Sequence, residues 1–171
     1  MKTSSKESIA IRAARRDDFK DLLRLVRAYY RHDGIRYRSA VVPGAIRRLA
    51  SGQVPARAWI VCYAARAIGY VAFSYHYDAE FGGLEGVITD LFIEAAYRGR
   101  GLGSRLLATV GDYCRAAGIG SIELQVIETN RAAAAFYRKH GFRRLERHIM
   151  ATDLPSKRRI VRKRRYRAGR R

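Results

Sequence analysis

Apolar and polar positions alternate over residues 9–12, the period of a short half-buried strand. Asp17 and Asp18 follow, acids that suit the positive end of a helix dipole. Leu22, Leu23, Val26 and Tyr30 then recur at helical spacing, which predicts a helix over 17–31, with Gly34 to end it. Pro43 fits the first turn of a second helix that closes near Gly52. Apolar runs at 59–64 and 68–77 predict two strands around a short turn. Gly82, Gly83 and Gly86 break the next stretch, and 87–93 reads as a buried strand. A Gly-rich turn at 99–103 leads into a helix carrying Leu102, Leu106, Leu107, Val110 and Cys114, closed by Gly118 and Gly120. Residues 122–127 form another strand pattern. Asn130 caps a helix through Phe136 and Tyr137, which ends at His140-Gly141. One or two terminal strands are expected over 143–154. The order β-α-α-β-β-β-α-β-α-β describes a mixed α/β domain whose sheet is covered by helices.

Composition narrows the class. The 171 residues suit one domain, and 48% apolar content is enough for a core. No apolar run approaches the roughly 18 to 20 residues a bilayer-spanning helix needs. The arm 1–8 is polar and lacks the apolar core of a signal peptide, so the cytoplasm is the expected compartment. Cys62 and Cys114 each sit inside an apolar segment, which predicts buried, reduced thiols. The formal charge is +20, and residues 155–171 carry ten of the 35 Lys and Arg with no acid. The organisation expected is an arm 1–8, a domain 9–154 and a basic tail 155–171. The basic run 157–171 could touch nucleic acid through phosphates or be a solvated tail. No stacking-aromatic motif of the RNA-recognition type accompanies it.

The stretch 87–142 carries the most chemistry. Between its strand and helix lies Arg98-Gly99-Arg100-Gly101-Leu102-Gly103. A helix start behind glycines exposes unpaired N–H groups and the positive end of the dipole, an anion site. Arg98, Arg100 and Arg105 add charge around it. The Walker pattern is absent, and the dinucleotide fingerprint G-x-G-x-x-G fails because position 104 is Ser. What remains, R-x-x-G-x-G, resembles the acetyl-CoA pyrophosphate loop of the GNAT superfamily of N-acetyltransferases. Leu91-Phe92-Ile93 ahead of Tyr97 resembles that family's fourth strand. Glu128-Thr129-Asn130 with Ala135-Phe136-Tyr137-Arg138-Lys139-His140-Gly141-Phe142 resembles its second signature. The likeness extends over roughly residues 9–150.

The resemblance implies an α/β (α+β) GNAT fold: a mixed, mostly antiparallel sheet of six or seven strands flanked by four helices, with splayed fourth and fifth strands. It implies acetyl-CoA as cosubstrate. Backbone groups of Leu91, Phe92 and Ile93 would bind the pantetheine arm. Arg98, Gly99, Arg100, Gly101, Leu102, Gly103 and Ser104 would hold the pyrophosphate, and Asn130, Ala133 and Tyr137 would line the other side. Tyr137 matches the family's general acid, a phenol that can protonate the departing sulfur. Many relatives carry a catalytic Glu near the position of Thr89, which cannot act as a base. Asp90 and Glu85 are the neighbouring candidates, as base or substrate contact, and a water chain is the alternative. Alternation along the strand could turn Asp90 to the wrong face. Homodimers are common among such proteins, so a homodimer is expected.

The acceptor is approached through charge. Between Arg66 and Arg98 there is no Lys or Arg, while Asp78, Glu80, Glu85, Asp90 and Glu94 all occur. An acidic groove would concentrate cationic amines. The chain is also similar in several places to the diamine (spermidine/spermine) N-acetyltransferase branch. Asp33 falls where that branch holds the amine with an acid, and Glu85 and Thr89 would be further substrate contacts. A protein Lys or N-terminal amine, reached with help from the basic tail, is the alternative acceptor. His32, His76, His140 and His148 lack the spacing of a metal site, and no metal is expected. His32 could face the acceptor, and His140 reads as a surface residue.

Overall fold

The computed structural model describes residues 9–152 and residue 154. The arm 1–8 and the basic tail 155–171, with the nucleic-acid contact expected there, lie outside the described residues.

Strand β1 (Ile9–Ala13) is followed by a 3₁₀ turn, then α1 (Phe19–His32) and α2 (Val42–Ala50). Strands β2 (Ala56–Tyr63), β3 (Arg66–Asp78) and β4 (Gly83–Ile93) come next, then α3 (Leu102–Ala116), β5 (Ile119–Leu124) and α4 (Arg131–Lys139). The sheet order is β1-β2-β3-β4-β5. The first four strands are antiparallel neighbours, and β5 joins β4 in parallel through the α3 crossover.

The sheet buries both faces. On one, Leu22, Leu25 and Val26 of α1 and Ile46 of α2 pack over Ile60, Tyr70, Ala72 and Phe92. On the other, Leu106, Val110 and Cys114 of α3 cover Trp59, Val71, Phe73 and Ile88. Phe136 and Tyr137 of α4 join this second layer. Leu22, Leu25 and Val26 have no exposed surface, and each such burial stabilises by about 1.5–3 kcal/mol. Cys62 and Cys114 are buried free thiols. Among the described residues no helix is long and apolar enough to cross a membrane.

The described sheet has five strands where six or seven were expected. The terminal strands expected over 143–154 do not form in the described part, and residues 143–152 follow an irregular path. Over 143–150 only Leu145, Ile149 and Met150 interrupt a run of Arg, Glu and His, and all three are exposed, so no half-buried face exists to hold a strand. Strand β4 begins at Gly83, so Gly83 and Gly86 do not break it. A Cβ on Gly86 would fall 2.5 Å from the Phe73 ring, so glycine there lets the ring lie against the strand. Gly120 likewise falls within β5, which starts and ends earlier than 122–127.

Candidate active site

The register of β4 shapes the site. Its pairing with β5 runs from Leu84↔Ile119 to Ile88↔Leu124 and stops, while β4 continues to Ile93 paired only with β3. At the same point Ala72 pairs with Asp90 and Phe73 with Ile88, leaving Thr89 as an extra, bulged residue. A bulge bends its strand and resets which face each side chain takes. Ile88 therefore faces α3, whereas Asp90 shares the α1 face with Phe92, Tyr70 and Ala72. Where the two strands part, a cleft of about 780 Å³ opens between β4, β5, the end of α1 and the starts of α3 and α4.

One end of the cleft is the start of α3. Gly101 caps it with φ 73°, a left-handed conformation that costs a residue with a Cβ about 1–2 kcal/mol. The first helical bond there is given by the Arg105 N–H to the Gly101 carbonyl, 3.1 Å. The N–H groups of Leu102, Gly103 and Ser104 precede it and have no carbonyl a turn earlier in the helix. All three residues line the cleft, as does Gly99 at φ 74°. A Cβ on Gly103 would lie 3.0 Å from the Phe136 ring, so glycine lets α3 and α4 approach closely.

Arg98 lines the cleft in a bracing position. Its Nε donates to the Ile93 carbonyl at 2.9 Å, and its guanidinium lies 5.5 Å from the centre of the Phe92 ring. Arg100 stacks on Tyr97 and is not among the lining residues. Asn130 lines the cleft and caps α4, accepting from the Ala133 N–H at 3.1 Å. Ala133 and Tyr137 line the same wall, and Leu91, Phe92 and Ile93 lie opposite.

The other end is aromatic and acidic. Tyr29, Tyr30, His32 and Asp33, at the end of α1, face the cleft beside Asp90. The fully buried Tyr70 donates its hydroxyl to Asp90 Oδ2 at 2.9 Å. Burial raises the Asp90 carboxyl above the usual range, Tyr70 partly opposes this, and Asp33 adds to it. Burial, with Asp33 and Asp90 nearby, also pushes Tyr137 up to about 12. The same causes raise the Tyr29 phenol. Thr89 lines the cleft, its hydroxyl 3.4 Å from the Ala72 carbonyl.

Glu85 does not join this group. It is buried near the other end of β4, accepts from the Ser121 hydroxyl at 3.1 Å and lies 3.7 Å from His76 Nε2. The acidic stretch seen in the sequence is thus dispersed. Glu94 is bound by Arg24 and Arg66, Glu80 by Arg147, and Asp90 alone of the five reaches the cleft.

Sequence reasoning missed two features. Tyr70 falls inside the strand run at 68–77 and was not singled out, and only strand pairing brings it to Asp90. His140 read as a surface residue, yet its Nδ1 lies 2.8 Å from the Phe136 carbonyl and its Nε2 2.8 Å from Ser104 Oγ. A signal for it existed in the helical spacing from Phe136 to His140, which returns the ring to the side of α4 facing α3.

The parting of β4 from β5, the glycine-capped start of α3 and the Tyr137 phenol thus meet at one cleft. The chain belongs to the acetyltransferase (GNAT) family, which matches over residues 19–142. It is similar to a thialysine N-epsilon-acetyltransferase of Bos taurus, 23% identical over 142 residues, covering 78% of this chain and 83% of that one. A shorter likeness, 43% identity over 53 residues, joins it to the N-alpha-acetyltransferase RimI of Mycobacterium tuberculosis, covering 31% of this chain and 32% of that one. Its fold is similar to that of an integron cassette protein from the mobile metagenome of Cole Harbour Salt Marsh. That match has a TM-score of 0.73 and 25% identity, over 85% of this chain and 91% of that one. The protein is an N-acetyltransferase that uses acetyl-CoA as acetyl donor.

The cleft suits that donor. Its volume lies within the range of small-molecule sites, about 300–1,000 Å³. Free N–H groups at the start of α3 meet the need of a pyrophosphate, and the unpaired edge of β4 beyond Ile88 meets that of an amide-bearing arm.

Proposed function

We propose that the protein acetylates a small cationic primary amine, with Asp90 as base and Tyr137 as acid. The observation that carries this reading is the convergence of Asp33, Asp90 and Tyr137 on one cleft. Acetyl-CoA supplies the activated acetyl group. The N–H groups of Leu102, Gly103 and Ser104 hold its pyrophosphate, and the β4 backbone from Leu91 to Ile93 aligns the arm. Asp33 attracts the ammonium form of the acceptor, and the tyrosine rings of Tyr29 and Tyr30 offer their faces to the same charge.

An amine with a pKa near 10.4 arrives protonated at neutral pH and attacks only after losing that proton. Asp90 receives it. A carboxylate raised by burial is a stronger base than one in water, and Tyr70 holds it in place. Tyr137 keeps its proton throughout the physiological range, gives it to the departing sulfur as the tetrahedral adduct collapses, and recovers one from the acylated nitrogen, which sheds its second proton to become the neutral amide. Asp90 thus takes the part that many relatives give to a Glu near Thr89. Glu85 sits too far along β4 to share it. The reading places the enzyme in the reducing cytoplasm, where Cys62 and Cys114 stay as free thiols.

The likeness to RimI supports a second reading, transfer to a protein N-terminal amine. A thiol-release assay separates the two, using acetyl-CoA with diamines, polyamines, basic amino acids, aminoglycosides and peptides with free N-termini. Turnover confined to small cationic amines supports the first reading, and turnover confined to peptides replaces it with the second.

A further inference from the structure

The bonds of His140 bear on how the cofactor is gripped. A carbonyl only accepts, so the 2.8 Å contact with the Phe136 oxygen fixes the ring proton on Nδ1. In the neutral ring Nε2 is then bare and can only accept, and the Ser104 hydroxyl must give it its proton across 2.8 Å. That leaves oxygen lone pairs on the cleft side of Ser104, where an anion is to sit. If Nε2 gains a proton it donates to Ser104 Oγ, and the hydroxyl proton is released toward the anion. One protonation thus replaces a repulsive contact with a hydrogen bond and adds a positive charge.

We propose that His140 is a positioning residue that takes up a proton when the pyrophosphate binds and turns the Ser104 hydroxyl toward it. The proposal rests on the placement of the pyrophosphate at the start of α3. The elements that carry the ring and Ser104 hold more basic than acidic residues. The ring's own helix contributes Arg131, Arg138 and Lys139 and no acid, and the following segment adds Arg143 and Arg144. Helix α3 contributes Arg105, and its one acid, Asp112, lies two turns on and is bound to Arg115. Since the bound state holds the proton more firmly, binding is strongest at low pH and weakens as pH rises through the imidazole range. The limit is about tenfold in affinity per pH unit for one whole proton.

Calorimetric titration with dephospho-CoA tests this, because that ligand keeps the pyrophosphate and lacks the titrating 3′-phosphate. Buffers of different ionisation heat report the protons taken up. Wild type should take up a fraction of a proton near pH 7 and lose affinity several-fold between pH 6 and 8. His140→Gln and Ser104→Ala should bind without uptake and with a flat pH dependence. Absence of uptake by wild type, or uptake that persists in His140→Gln, overturns the proposal. If Ser104→Ala binds as tightly as wild type at every pH, the Ser104 hydroxyl does not reach the pyrophosphate and the proposal falls while the backbone placement stands; failure of wild type to bind dephospho-CoA at all overturns that placement instead.

Discussion

The Tyr70 hydroxyl donates to Asp90 Oδ2 at 2.9 Å, and this bond exists because of a one-residue bulge at Thr89. With regular alternation Asp90 would share the face of Ile88 and point into the α3 layer. The bulge puts it opposite Ala72 on the α1 side, within reach of a fully buried phenol.

Tyr70→Phe tests that bond. Tyr70 lowers the Asp90 pKa against the stronger effect of burial, so its loss moves the carboxyl further up. A base works when deprotonated, so activity rises with pH through this pKa. The acid limb of the kcat/KM profile should therefore move to higher pH in Tyr70→Phe, with a stability cost of about 1 kcal/mol.

Asp90→Asn keeps an acceptor for Tyr70 while removing the proposed base. The variant should fold with a Tm close to wild type. Its kcat should fall by about 10²- to 10⁴-fold, the usual contribution of a positioned base. Stopped-time thiol release beside thermal melting measures both quantities.

Tyr137→Phe removes the proposed acid and leaves the ring against Phe136 and Phe142. A loss in kcat of about 10²-fold or more is expected, with little change in acetyl-CoA KM. Equal kcat in variant and wild type would assign the proton to another donor.

Gly101→Ala places a Cβ on a residue at φ 73° that caps α3. A stability loss of about 1–2 kcal/mol is expected, together with a raised KM for acetyl-CoA, because the strain falls on the N–H groups proposed to hold the pyrophosphate. Chemical denaturation and initial-rate kinetics check the two effects.

Far from the cleft, Arg12 bonds both carboxylate oxygens of the buried Asp18 at 2.7 Å each, which lowers its pKa. A carboxyl with a lowered folded pKa stabilises above its unfolded pKa and loses that contribution as pH falls through the folded value. Asp18→Asn should cost about 2 kcal/mol at neutral pH, with the difference from wild type shrinking in acid. Urea titrations at pH 7 and pH 3 would show it.

The glycine-capped start of α3 at the cleft was legible because its geometry is local: glycines and a helix start lie within a few residues. The place of Tyr137 on α4, lining the cleft, was legible for the same reason, inside a contiguous signature. Asp90 was visible as a candidate, but its face was not, because a bulge depends on the partner strand and leaves no mark of its own on the alternation. Tyr70 and His140 escaped because their partners lie 20 and 36 residues away in sequence. The acidic run between Arg66 and Arg98 overstated the groove, since Glu94 and Glu80 are neutralised by arginines from distant elements. The terminal strands were read from scattered apolar residues that in the fold meet no second layer.

The most direct test of the central claim compares a terminal diamine with its monoamine analogue of equal length as acceptors in thiol release. Two carboxylates in one cleft should favour the acceptor with a second charge, so kcat/KM should be at least about tenfold higher for the diamine. Asp33→Asn should erase that preference by raising the diamine KM. Equal use of both amines, or turnover only with peptide N-termini, would contradict the claim.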